Sequence, residues 1–240
     1  MGNKLKILNV FGITPVGNGQ SAGQDFFIPK FKGLEKKEVV LPAFAKSYNM
    51  TEDQLLKTID DLVLNVSAIL GPEYAENNEL NLLQLYLCLD TSQKYEQDYE
   101  EFMQNFIEHW LVFDKNNTPG IWCYCNDHVK INAGIKLALD HDTCGIFFNK
   151  SGKGTKGWDI RACVIDEDYS GFVHMSLAYT KEDAIDCEDG IIYCGDKLTQ
   201  LLILPVKHTE SIEISEDEYN QLMDKSERGA AGFGSSDVKH

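Results

Sequence analysis

The chain has 240 residues, 25% of them charged, and a formal net charge of −16. That length can bury a core without a metal or disulfide staple, and the acidity excludes a general nucleic-acid binder, which needs a basic face. No run approaches the ~20 apolar residues of a membrane span, and Met1-Gly2-Asn3-Lys4-Leu5-Lys6 lacks the apolar core of a signal peptide.

Seven scattered cysteines, an odd number, read as reduced thiols in a cytoplasm. Cys123 and Cys125 sit two apart, but no second pair completes a zinc site. The basic residues are lysines except for Arg161 and Arg228, so the place of each arginine matters.

From about Lys4 to Lys32, short apolar runs punctuated by Gly and Pro predict strands and turns. Thr51-Glu52-Asp53-Gln54 has the form of a capping box. Leu55, Leu56, Ile59, Leu62, Val63, Val66, Ile69 and Leu70 after it fall on one helix face, and Gly71-Pro72 stops the helix. Leu80 to Leu89 is leucine-rich and lacks β-branched residues, which predicts a buried helix. Tyr95, Tyr99, Phe102, Met103, Phe106, Ile107, Trp110 and Leu111 signal a third, and Asn116 to Gly120 ends the helical region.

From Ile121 the period returns to two. Ile135, Leu137 and Leu139, then Val173, Met175 and Leu177, mark half-buried strands. Leu201 to Leu204 is apolar throughout, as in a strand buried on both faces. The chain therefore reads as a β domain over residues 1–33 and 118–240, with a mobile arm over 226–240. An all-α insertion occupies residues 34–117. Closure entropy grows slowly with loop length, so such an insertion costs little.

Four stretches are unusual for a purely structural β domain. Ser21 to Phe27 surrounds Asp25 with small residues. Asn149-Lys150-Ser151-Gly152-Lys153-Gly154 can bring backbone N–H groups close to phosphate. Val164 to Gly171 packs Asp166, Glu167, Asp168 and Tyr169 into one turn. Arg228 to Ser236 is a glycine-rich tail with one arginine and one ring, Phe233. The plain alternatives are a turn, a loop, a solvated turn and a chain end.

Together and in this order they resemble the motifs of the homotrimeric dUTPase family, with Gly195-Asp196-Lys197-Leu198-Thr199-Gln200 resembling the fourth of five. The resemblance covers about residues 5–32 and 120–236. It implies a mainly β, jelly-roll barrel fold, with α+β content once the helices are included, and Mg²⁺-assisted hydrolysis of dUTP to dUMP and pyrophosphate. Asp166 would activate the water that attacks the α-phosphorus. Tyr169 would pack on the deoxyribose, and the main chain of Cys163, Val164 and Ile165 would read uracil. His174 would contribute backbone only. Lys150, Ser151, Gly152 and Gln200 would hold phosphate. Arg228 would form a fork on the terminal phosphate, Phe233 would cover the base, and Gly234 and Ser235 would donate to phosphate as the tail closes. Asp25 would touch the water shell of the magnesium. The resemblance further implies a homotrimer with shared sites, in the cytoplasm, or the host cytoplasm for a phage protein. It implies no nucleic-acid or membrane partner.

The chain departs from the family in four places, one of them the segment from Ser151 to Asp166, which is slightly shorter than in common members. Lys150 stands where arginine is usual, which keeps the charge and loses the fork. Ile160 replaces a frequent asparagine, and Arg161 has no counterpart. Two rivals share the fold: a dCTP deaminase, which would need its catalytic glutamate at Ser176, and a nucleotide-binding or regulatory protein. The helices would offer the latter a docking surface for a protein partner. None of the matched residues lies in the helical segment, which reads as separable from catalysis.

Overall fold

The computed structural model describes residues 4–17, 20–89, 98–182 and 188–224. Residues 1–206 form one compact unit and 207–240 a second. In the second, Ser215 caps a short helix, Glu216–Met223.

In the first unit, β1 (Lys6–Asn9) and β2 (Gln24–Phe27) precede the helices α1 (Lys37–Tyr48), α2 (Glu52–Ile69), α3 (Pro72–Ala75) and α4 (Glu79–Cys88). The predicted capping box is present: Gln54 N–H donates to Thr51 Oγ1 at 3.2 Å, and Thr51 N–H donates to Gln54 Oε1 at 2.8 Å. Pro72, whose missing N–H is no loss at a helix start, opens α3 right after α2 ends. Every residue of α4 from Leu80 to Cys88 is buried, as the leucine run predicts.

The third predicted helix is shorter than its apolar signal. It spans α5 (Tyr99–Asn105), passes through a π turn at Phe106–Trp110, and gives way at Leu111 to β3 (Leu111–Phe113). Leu111, Val112 and Phe113 pair instead with β4 (Pro119–Trp122), so the helical region ends before the Asn-Pro-Gly punctuation. Tyr95 lies outside the described residues.

The remaining strands are β5 (His128–Asn132), β6 (Ile135–Ala138), β7 (Thr143–Asn149), β8 (Trp158–Ala162), β9 (Val164–Ile165), β10 (His174–Tyr179), β11 (Ile191–Tyr193) and β12 (Lys197–Pro205). A one-turn helix, α6 (Ser151–Gly154), follows β7. The strands form antiparallel sheets in the orders β1-β6, β5-β10-β8, β11-β4-β3 and β2-β12-β7-β9. The fold is thus mainly β with helices packed into it.

Helices and strands share one core. Leu80, Leu82, Leu83 and Leu85 on α4 and Ile121, Val129 and Ile131 on the strands belong to the same buried cluster. Within the segment that reads as an insertion, α4 packs on β5 and β4.

The expectation for Leu201–Leu204 is corrected. Leu201 is buried, but Ile203 is 38% exposed and Leu202 and Leu204 only partly buried. β2 is four residues long and covers β12 only as far as Leu201, so beyond that point β12 has β7 alone beside it.

Candidate functional site

The four-stranded sheet carries Asp25, Gln200, Val164 and Ile165. In its register Asp25 on β2, Gln200 on β12 and Phe148 on β7 lie side by side. Their Cα atoms share one pleat, so all three side chains leave the same face. That face looks outward: the opposite one holds Phe26, Thr199, Leu201 and Phe147, all buried. Gly23 lets β2 approach this closely, since a Cβ there would lie 2.6 Å from Gln200 Cγ.

Lys150 follows β7 and is the N-cap residue of α6. Its ammonium donates to both Asp25 oxygens, at 3.0 and 3.1 Å, and Lys197 Nζ lies 3.1 Å from Asp25 Oδ2. Burial works against the charged carboxylate, but the two ammonium groups outweigh it and hold the Asp25 carboxyl below its usual range. Beside this cluster Lys153 pairs with Asp196 at 2.9 Å. Three lysines therefore gather at one end of the sheet in a strongly acidic chain. Ser151 and Gly152 sit exposed in the turn, with open space around the Gly152 Cα. Lys197 escaped the sequence reading; its signal was its place as the cation of the Gly195–Gln200 stretch, next to a residue that pairs with β2.

Arg161 is exposed on β8. Ile160, in the place of the frequent asparagine, donates its N–H to Asn149 Oδ1 at 3.0 Å. That bond ties β8 to the strand end that carries Lys150.

The third-motif candidates lie elsewhere. β9 is the outer strand of the sheet, with Val164 opposite Ile146 and Ile165 opposite Gly145. The Cys163 carbonyl accepts from Phe147 N–H at 2.8 Å, so it is spent within the sheet. By the antiparallel alternation, the N–H and C=O of Val164 turn to the unpaired edge. Asp166 follows, exposed, in a turn closed by Tyr169 N–H to the Asp166 carbonyl at 3.1 Å. Tyr169 is 44% exposed and so is no core residue. Its hydroxyl donates to the Phe172 carbonyl at 2.8 Å. Gly171 makes room for the ring, because a Cβ there would meet the hydroxyl at 2.4 Å. His174 fills a strand face: Nδ1 lies 2.9 Å from the Phe172 carbonyl and Nε2 is buried without a partner. Burial first, then the nearby Lys130 charge, lowers its pKa to about 4.

Asp166 comes one residue after the partner of Gly145, whereas Lys150 is five residues beyond Gly145 on the same strand. At about 3.3 Å of rise per residue they stand nearly 20 Å apart at opposite ends of the sheet. One chain brings Asp25, Lys150, Lys197 and Gln200 together and leaves Asp166 and Tyr169 apart from them. A cavity of about 490 Å³ beside the sheet, lined by Gln24, Asp140, Thr143 and Ile203 among others, holds none of the candidates. Arg228, Phe233, Gly234 and Ser235 lie outside the described residues.

A lysine- and glycine-rich turn beside an ion-paired carboxylate, on an open antiparallel face, defines a β domain suited to a phosphorylated small molecule. The comparisons narrow that class: residues 121–237 match the dUTPase family. The deoxyuridine 5'-triphosphate nucleotidohydrolase of Cowpox virus is 29% identical over 109 residues, 45% of this chain and 67% of its own. The mitochondrial one of Dictyostelium discoideum is 33% identical over 106 residues, 44% and 53%. Among solved structures, a variant of the Staphylococcus bacteriophage 80alpha dUTPase with dUpNHpp gives a TM-score of 0.51 at 15% identity, covering 98% of this chain and 99% of that one. The parent phage enzyme with dUpNHpp gives 0.50 at 16%, covering 98% and 99%. Residues 121–237, just under half of the chain, are thus similar to the dUTPase family.

Proposed function

We propose that the protein hydrolyses dUTP to dUMP and pyrophosphate. The observation that carries this reading is that one continuous family match, residues 121–237, contains the Lys150 turn, the Asp166 turn, Gln200 and the Arg228–Ser235 tail in order. Lys150, Ser151, Gly152 and Gln200 hold phosphate oxygens, joined by Arg228, Gly234 and Ser235 when the tail closes. Val164 reads uracil through the free edge of β9, with Cys163 and Ile165 fixing that edge and Phe233 covering the base. Tyr169 offers an exposed ring to the sugar, and His174 shapes the adjoining strand through its backbone. Asp166 orients the attacking water and takes its proton as the new α-phosphorus–oxygen bond forms and the bond from the α-phosphorus to the bridging oxygen breaks, so that pyrophosphate leaves with that oxygen.

Asp25 fits a magnesium ion held through water: it is an ionised carboxylate beside the phosphate cradle, and such an ion keeps several waters and the substrate's own oxygens as ligands. When bound, the ion would neutralise charge along the three phosphates.

A general base must lie within about 3 Å of the proton it takes, or one water away. Asp166 cannot serve the Lys150 cradle of its own chain, so we place it at the cradle of a neighbouring copy in a homotrimer. The outward face supports this, because it is apolar beyond the polar row. Phe148 is 46% and Val164 61% exposed, and Ile146, Leu202 and Leu204 are partly so. Exposed apolar area of that kind marks an interface. The outer surfaces of the helices, with Leu56 and Leu64 exposed, remain open to a protein partner. A rival deaminase reading would need a carboxylate where β10 carries Ser176.

No described helix is long and apolar enough to cross a membrane. No described cysteine is in a disulfide, and we place the protein in the cytoplasm, that of the host if it comes from a phage.

Pyrophosphate release from dUTP, dCTP, dTTP and UTP with magnesium present tests the activity. Release from dUTP alone is expected, and equal rates with dCTP would overturn the assignment. Light scattering should give three chains per particle; an active monomer would overturn the shared site.

A further inference from the structure

Just past β2 the chain runs along α4, and side chains take up its peptide groups. Phe31 N–H donates to Asn81 Oδ1 at 2.9 Å, and Asn81 Nδ2 donates back to the Phe31 carbonyl at 3.0 Å. Gln84 Nε2 donates to the Pro29 carbonyl at 3.2 Å. Asn81 is 1% and Gln84 0% exposed, on one face of an otherwise leucine-rich helix. Amides in such a place are costly unless bonded. Here the Asn81 amide meets both peptide groups of one residue, as a neighbouring strand would.

The pinned segment leads straight to the phosphate cradle. Ile28 N–H donates to the Asp196 carbonyl at 2.9 Å, and Gly195 N–H to the Ile28 carbonyl at 3.0 Å. The Asp196 carboxylate holds Lys153, and its neighbour Lys197 holds Asp25. Four consecutive residues, 28–31, thus connect α4 with the carboxylates that aim three lysines.

We propose that Asn81 and Gln84 are positioning residues for the phosphate cradle, so the helical segment sets the geometry of a site it does not touch. The proposal rests on the dUTP reading. It is tested in the full chain with Asn81→Ala and with Gln84→Met, which keeps volume and removes the bonds from Nε2 to the Pro29 carbonyl and, at 4.0 Å, to Cys194 Sγ, from an amide whose Oε1 is already unpartnered. Melting temperature, dUpNHpp affinity and inhibition by deoxyuridine, which has no phosphate, are measured on each folded variant. A misplacement of roughly 1 Å can cost about 10²-fold, so dUpNHpp should weaken about tenfold in Asn81→Ala and about threefold in Gln84→Met. Deoxyuridine inhibition should stay within about twofold of the parent, since the base and sugar contacts come from the other end of the sheet. Should Asn81→Ala fail to fold, Gln84→Met decides alone. Parental dUpNHpp affinity in a folded variant with a lowered melting temperature would overturn the proposal. So would an equal loss for both ligands, which means general loosening. A parent chain that neither binds dUpNHpp nor hydrolyses dUTP would overturn the dUTP reading itself.

Discussion

Replacing residues 34–117 with a short Gly/Ser linker should abolish folding and not merely trim an accessory. The helices cover Ile121, Val129 and Ile131, which are at most 1% exposed in the intact chain. Uncovering a large aliphatic side chain costs roughly 1.5–3 kcal/mol, so these three alone lose about 5–9 kcal/mol. That equals most of the 5–15 kcal/mol or so by which a domain is stable. The linker would also leave the peptide groups of Phe31 and Pro29 without Asn81 and Gln84. The assay is soluble yield, circular dichroism and a thermal melt, followed by dUTP turnover. The expected result is an insoluble or non-cooperative protein. A soluble trimer with a cooperative melt and parental turnover would refute the shared core and show the helices to be separable.

Asp166→Asn keeps shape and removes the base, so turnover should fall by at least ~10²-fold while dUpNHpp affinity, by calorimetry, stays near the parent. Activity within a few-fold would remove Asp166 from its role. Lys197→Met deletes one of the two cations on Asp25. With a side chain 45% exposed, the lost interaction is worth about 1 kcal/mol after screening, or about fivefold in dUpNHpp affinity. A wild-type dissociation constant would show that Lys197 plays no part in phosphate binding. His174 should make stability pH-dependent. Its pKa is lowered from 6.5 to about 4 in the folded chain, so the unfolded chain binds the proton first. The contribution is full above 6.5 and is lost as pH falls towards 4. His174→Gln should flatten that limb of a denaturation series, and an unchanged slope would refute it.

Much of this was legible in the chain because the signals are local. The Thr51–Gln54 box, the leucine run of α4 and the alternation of β10 each depend on neighbours within a turn or a pleat. The Lys150 turn and the Asp166 turn were likewise visible as compositions. What failed depended on partners distant in sequence. An apolar run cannot reveal that β2 stops at Leu201's level, so Leu201–Leu204 was expected to be buried on both faces. The π turn at Phe106–Trp110 keeps its apolar spacing while ending the helix, and β4 then captures Leu111–Phe113. Asn81 and Gln84 interrupt the leucine run of α4, but nothing local names Phe31 and Pro29 as their partners. The pairing of Asp25 with two lysines is of the same kind: each residue stood in a recognisable stretch, and only the β2-β12-β7 register joins them.

Asp166 and Lys150 stand at opposite ends of one hydrogen-bonded sheet, too stiff for any bend to bring them together. If the site is shared, competence belongs to the particle and not to the polypeptide. Dilution can then silence the protein without unfolding anything. Damage also becomes divisible: a chain faulty at Asp166 and a chain faulty at Lys150 can each lend the other a sound half, whereas both faults in one chain leave nothing to lend.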